Sequence, residues 1–265
     1  MAVLSSLRDA LTALQRNPVL FVAATLYAAV QVPALLLQVT GNPVLQLAAS
    51  AYNLLLVLVA PFFVGGLFAM ALEALDGPTS LSRLWRGGRT YYLRLLAIVL
   101  VGLVGYVVLG VGLGILFFAL VVGGVVGDGG AGASLAVLAV VGLVALLFAL
   151  VLLVVGFLLQ FYVQAVVVDD RGALDALRRS YAVVRANVLA VLGFDAVALV
   201  LGVVAAAVPV GYVWLAAPGF AAMDAASWAV RLGYVVLTVA LSVVLGAFGA
   251  TYGAAFYVAV TADRG

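Results

Sequence analysis

Long uninterrupted apolar runs alternate with short polar segments along the chain. The runs cover about residues 18–39, 44–75, 95–126, 134–168, 188–216 and 228–260. A helix needs about 20 apolar residues to cross the hydrocarbon core. The pattern therefore predicts an all-α polytopic bundle of six transmembrane helices in one integral membrane domain, 1–265. A barrel would instead show segments of about 10 residues alternating in polarity. Several runs exceed what the core requires, so tilting, kinking or projection beyond the lipid is expected. Pro61 and Pro209 are the expected kink sites.

The polar segments before spans one, three and five carry a second pattern. In residues 1–17, Leu4, Leu7, Leu11 and Leu14 recur at helical spacing, with Arg8, Asp9, Gln15 and Arg16 elsewhere on the wheel. Ser6 followed by Asp9 reads as a capping box. After span two, Asp76-Gly77-Pro78 reads as a turn that Thr79 or Ser80 caps. Leu81, Leu84 and Trp85 then lie beside Arg83, Arg86 and Arg89, with Tyr91 and Tyr92 at headgroup level. After span four, Leu174, Leu177, Tyr181 and Val184 share a face from which Arg178, Arg179 and Arg185 point away. Each segment predicts an amphipathic helix lying in the membrane interface, apolar side down. The N-terminal one is expected to be retained, because no small-residue cleavage site follows it.

Composition sharpens this picture. Hydrophobic residues make up 68% of the chain, charged residues 8%, and the mean hydropathy is +1.36. Soluble domains are about 25% charged, so lipid is the expected solvent. The chain has no Cys, no His and no Lys; its twelve basic residues are Arg, and Glu73 is the single Glu among ten acids. That excludes thiolate chemistry and the usual neutral-pH acid–base group. The Arg and Asp bias also fits a halophilic archaeon. Arg8, Arg16, the 83–94 and 171–185 groups and Arg264 fall on one side of the predicted spans. Only Arg231 falls on the other. Positively charged loops face the cytoplasm, so a multi-pass cell-membrane protein with both termini cytoplasmic is expected.

Leu7-Arg8, Leu14 and Asn17 match Leu177-Arg178, Val184 and Asn187 at a constant offset. This points to a repeated unit of interfacial helix plus helical hairpin. The second copy also carries a resemblance. From Val166 to Asn187 the chain reads as an apolar span, the acidic turn Asp169-Asp170, Gly172, the motif Ala176-Leu177-x-x-Ser180, then Arg185. This resembles six-span prokaryotic membrane proteins: the membrane domain attached to some glycerophosphodiester phosphodiesterases, the YciC-like inner-membrane proteins, and a haloarchaeal branch without a settled role. The resemblance implies a stand-alone membrane domain. The phosphodiesterase activity is not implied, because that catalytic barrel depends on His.

Few residues are candidates for chemistry. Asp195 lies about 10 Å into span five at 1.5 Å per residue, and an ionisable group there is a functional candidate by default. Gln160 and Gln164, four residues apart near the end of span four, and Thr251 in span six are expected at a similar depth. Asn53 is the deepest polar residue of the first two spans. These five could form an intramembrane polar cluster for an ion, a proton or a headgroup; the plainer use is interhelical hydrogen bonding. Glu73 is expected at the interface or paired with a loop Arg, and Asp169-Asp170 as helix caps rather than cation ligands. Arg83, Arg86, Arg89, Arg178, Arg179 and Arg185 are candidate lipid-headgroup contacts; their plainer use is to fix topology. Gly110-x-x-x-Gly114, Gly123-x-x-x-Gly127 and Gly249-x-x-x-Gly253 permit close helix approach.

No metal site, cofactor motif or nucleophile–base set is found, so a non-enzymatic protein of membrane organisation or lipid handling is expected. The alternative is a transporter or permease subunit of an ATP-driven exporter. The expected partners are the bilayer and its anionic headgroups, not nucleic acid; a homo-oligomer, a partner membrane subunit and an ATPase remain open.

Overall fold

The computed structural model describes residues 2–128, 131–216 and 227–262, with side chains described outside 116–117 and 120–138. The elements in chain order are α1 (Ala2–Arg16), α2 (Val19–Gln38), α3 (Pro43–Asp76), α4 (Leu81–Asp128), α5 (Ala131–Leu159), α6 (Tyr162–Val167), α7 (Ala173–Ala186), α8 (Val188–Ala216) and α9 (Trp228–Ala262). Among the described residues there is no strand. Six helical stretches are long and apolar enough to cross a membrane: α2, α3, Leu81–Ile115 of α4, Ala139–Val167, α8 and α9. The chain is a multi-pass helical membrane protein.

Most of the core lies at the arginine-rich end. One cluster joins Leu95 and Ile98 of α4, Phe161, all but two residues of α6, Val183 and Val184 of α7, Val191 of α8 and Phe256 and Tyr257 of α9. The other joins Ala13 and Leu14 of α1, Leu20 of α2, Leu67 and Met70 of α3 and Ala247 and Ala250 of α9. Lipid is as apolar as Leu, so close packing of small residues, not expulsion from water, draws these helices together. The α3–α4 hairpin shows how. A Cβ on Gly88 would lie 2.8 Å from the Phe62 carbonyl oxygen, and one on Gly66 would overlap the Leu84 backbone. Gly65-Gly66 and Gly87-Gly88 therefore let the two backbones touch.

The second expected interfacial helix is not a separate element. It forms the first part of α4, a continuous helix of 48 residues, about 72 Å long at 1.5 Å per residue. Its docking on α3 through the four glycines holds this segment in line with the span. Of the two caps expected, Ser80 stands immediately before Leu81, and Thr79 is taken up elsewhere. Its hydroxyl donates to the Glu73 carboxylate (2.7 Å), and its N–H donates to Asn17 Oδ1 (2.9 Å). Glu73 is thus held by Thr79 rather than by an arginine. Ser6 lies in the second turn of α1, fully buried, so it is not a capping-box residue.

The sequence repeat has a structural counterpart. α1 buries Ser6, Ala10, Ala13 and Leu14, and α7 buries Ala176, Ser180, Val183 and Val184, at the same constant offset. Asn17 and Asn187 each donate a side-chain amide to the carbonyl four residues back, at 3.1 and 2.9 Å. In both helices the small-residue face meets protein, and Leu4, Leu11, Leu174 and Tyr181 are exposed.

Three helices run on through proline: α2 through Pro33, α3 through Pro61 and α8 through Pro209. A helical proline disrupts backbone bonding in the preceding turn. In two cases a neighbouring tyrosine meets that need: the Tyr52 hydroxyl donates to the Val30 carbonyl (2.8 Å) and Tyr92 to Leu58 (3.0 Å). Each acceptor lies three residues before its proline, where lipid could offer no donor. The loops expected at 127–133 and 217–227, the surroundings of Gly123 and Gly127, and Arg264 lie wholly or partly outside the described residues.

Candidate functional site

The site begins with a break in the fourth span. α5 stops at Leu159, the chain turns through Gln160 and Phe161, and α6 starts at Tyr162. Two backbone groups at this break lie beside Ser180, which is fully buried on α7. Its Oγ accepts from the Phe161 N–H (3.0 Å) and donates to the Leu158 carbonyl (3.1 Å). An unpaired buried backbone group costs about 1–3 kcal/mol, so this one hydroxyl fixes the break. The Ala176-Leu177-x-x-Ser180 motif gains a physical meaning: Ala176 packs without exposure and Ser180 holds the turn.

The turn aims Gln160 at span five. Its Nε2 donates to Asp195 Oδ2 (3.1 Å) and to the Phe157 carbonyl (3.2 Å). Asp195 is half-buried on α8, and no arginine pairs with it among the described residues. Aromatic rings fix its backbone. Phe194 stacks on Tyr252 and on Phe256, both at 4.7 Å between centroids, and Phe161 lies 5.5 Å away. Tyr252, 2% exposed, stacks on Phe194, and its hydroxyl is buried with no hydrogen-bond partner among the described residues. It joins the site as a residue the sequence did not single out; only its ring, amid other aromatics, distinguishes it there.

The other expected members lie elsewhere. Gln164 is separated from Gln160 by the break, so the two do not share one helix face. It is buried against α9, where a Cβ on Gly253 would come within 2.9 Å of its Nε2. Gly253 therefore makes room for Gln164 and Phe68, whereas Gly249 and Gly110 have open space around them. Thr251 is fully buried and donates to the Ala247 carbonyl of its own helix (2.8 Å). Asn53 is exposed on α3. Of the five expected residues, Gln160 and Asp195 are the pair in direct contact.

An apolar cleft of about 320 Å³ opens beside Gln160, between α4, α5 and α7; Asp195 stands behind Gln160 and does not line it. Val99 and Gly102 line one wall, Val155 and Gly156 the other; Gln160 and Leu177 stand at its arginine-rich end. Arg94 lies one turn before Ile98 on α4, and Arg178 follows Leu177, so positive charge stands near that end.

The arginines divide by use. Arg179 Nε donates to Asp169 Oδ2 (2.7 Å), which also accepts from the Tyr257 hydroxyl (2.7 Å). The Asp169 hydrogen bond raises the Arg179 pKa above its ordinary value, outweighing desolvation. Arg94 pairs with Asp170, and Arg178 with Asp175 at 3.2 Å. Asp169 and Asp170 are thus clamps, not caps; Gly172 occupies the N-cap of α7 without a side-chain bond. Asp170 has φ 50°, a left-handed conformation that Asp tolerates better than most residues. Arg89 lies over the Trp85 ring at 4.8 Å, Arg83 is half-buried, and Arg86 and Arg185 are exposed.

Arg231 serves the opposite end. It is 7% exposed and donates from Nη1 to the Val39 and Thr40 carbonyls, both at 2.9 Å. A cation at a helix C-terminus meets unpaired carbonyls and the negative end of the dipole. This accounts for the single arginine on that side.

Among the described residues no group of three or more acids is placed to hold a metal. The profile of a family described as a domain of unknown function, DUF7847, matches residues 1–260. No curated protein and no solved structure matches the chain.

Proposed function

Since the chain belongs to the DUF7847 family, whose function is unknown, we propose its function from its own geometry: it is a non-enzymatic cell-membrane protein that binds lipid of the cytoplasmic leaflet. The observation that carries this is a half-buried intramembrane carboxylate whose hydrogen-bond partner, Gln160, lines an apolar cleft. An acyl chain fits the cleft walls. Gln160 is the amide that reaches the cleft; with its Nε2 turned to Asp195 and the Phe157 carbonyl, its Oε1 is the atom left to accept from a donor such as a headgroup hydroxyl. The arginine-rich end is cytoplasmic in this reading. α1 and α7 lie in the interface with Leu4, Leu11, Leu174 and Tyr181 towards lipid, and Arg86, Arg178 and Arg185 attract anionic headgroups.

Native mass spectrometry of protein extracted from its own membrane tests the reading. The expected result is a retained lipid in the natural protein and its loss in Asp195→Asn at unchanged stability. Equal retention in both proteins would overturn the role of the charge.

A second reading, a subunit of an exporter, rests on one observation. The most apolar 18 residues of the fourth span have none buried in the chain's own fold, as expected where a second polypeptide covers them. Because the chain has no Cys, a single Leu147→Cys variant can report this. A disulfide dimer or a cross-linked partner would favour a subunit; efficient labelling by a lipid-soluble maleimide would favour lipid.

A further inference from the structure

We propose a site for a small zwitterion, a phosphate joined to an ammonium group, in a polar cleft at the arginine-rich end of the bundle. The cleft holds about 470 Å³ between α1, the last turn of α3 and the last turns of α9. It exists because its floor is alanine: Ala13, Ala74, Ala255 and Ala259 contribute only a methyl each. The first three are buried, so the floor is packed protein. Four charged residues stand around it, Arg8, Asp9 and Arg16 on α1 and Asp76 on α3. All four are exposed, and among the described residues none of them forms an ion pair.

These charges are held in a fixed order. Arg8, Thr12 and Arg16 follow i, i+4, i+8 spacing, so both arginines project from one face of α1. Asp76 lines the same cleft from the last turn of α3, where the negative end of the helix dipole adds to its charge. Asn17 sets the spacing between them. Its buried amide donates to the Ala13 carbonyl (3.1 Å) and to the Gly77 carbonyl (3.2 Å), tying the end of α1 to the end of α3. Arg16 adjoins Asn17 and Asp76 adjoins Gly77, so the tie holds the two opposite charges in register. A bare anion would be drawn by the arginines but repelled by Asp9 and Asp76, and a bare cation would meet the reverse. A ligand of both signs uses both poles. Phosphate suits the arginines, whose N–H groups bond its oxygens in pairs; an ammonium group donates to a carboxylate. The same chemistry is offered by a phosphoethanolamine lipid headgroup and by the free ester. None of these residues lines the apolar cleft beside Gln160, so this site does not depend on the lipid reading given there.

Isothermal titration calorimetry of the whole protein in a neutral detergent tests the site, with phosphoethanolamine, inorganic phosphate and ethanolamine as separate probes. The expected result is one phosphoethanolamine per protein, bound at least about fivefold more tightly than either of its halves. Arg16→Gln and Asp76→Asn, both at exposed positions, are each expected to weaken it about two- to fivefold. Arg171→Gln, at an exposed position outside the cleft, is expected to leave it unchanged. Inorganic phosphate binding as tightly as phosphoethanolamine would overturn the proposal. So would no binding of phosphoethanolamine, or a loss in Arg16→Gln no larger than in Arg171→Gln. Dihexanoyl phosphatidylethanolamine, kept below its micelle-forming concentration, separates the two sources. Tighter binding than the free ester, with the same loss in Asp76→Asn, assigns the site to the lipid headgroup; equal or weaker binding assigns it to the soluble ester.

Discussion

At the scale of single residues, a few polar atoms hold what lipid cannot. Ser180 donates to one backbone group at the span-four break and accepts from another. Ser180→Ala is expected to cost about 1–3 kcal/mol, read as a lower midpoint of thermal unfolding in detergent. An unchanged midpoint would mean that the break holds itself. Arg231→Gln removes the cation from the Val39 and Thr40 carbonyls just past α2 and is expected to cost about 1–2 kcal/mol, measured in the same way. The sequence shows Arg231 as an exception to the charge rule but not its use, because its acceptors lie almost two hundred positions away in the chain. Asp195 and Gln160 are legible from depth and residue type alone. Tyr252 is not, because only the folded packing stacks its ring on Phe194 and buries its hydroxyl.

At the scale of elements, hydropathy shows that six spans exist but not how each one ends. Span four breaks where a serine on another helix stabilises the turn. The segment before span three stays in line with it because Gly65, Gly66, Gly87 and Gly88 dock it on α3. Both outcomes depend on a partner helix, which an amphipathic wheel does not contain. Ser6, Thr79 and Asp169 do not cap for a related reason, each side chain being buried or taken by another partner, whereas Ser80, the alternative to Thr79, stands just before α4. The glycines give a direct contrast. Gly66→Val should prevent close approach of α3 and α4 and reduce recovery of monodisperse protein by size-exclusion chromatography. Gly110→Val, with open space around Gly110, should leave recovery and unfolding midpoint within about 0.5 kcal/mol of natural. Equal damage from both would contradict the hairpin packing.

At the scale of the whole molecule, the packed core at the arginine-rich end and the sparsely buried α5 and α8 stretches describe a bundle tied at one face and open to lipid elsewhere. The proposed orientation rests on the arginine asymmetry, and the lack of Cys makes it measurable. Ser82→Cys and Ala182→Cys should react with a membrane-impermeant maleimide only when the cytoplasmic face is accessible, and Val44→Cys only from the opposite face. The reverse pattern would invert the protein and move the proposed lipid cleft to the outer leaflet.

The central claim is that the cleft lined by Gln160, the partner of Asp195, holds lipid more firmly than the general protein surface does. A lipid with a photoactivatable group in its acyl chain tests this most directly, with cross-linked peptides located by mass spectrometry. The account predicts cross-links concentrated at 98–102 and 155–162 and depleted there in Gly156→Phe. Labelling no denser there than on the more exposed 143–151 stretch of α5 would contradict it.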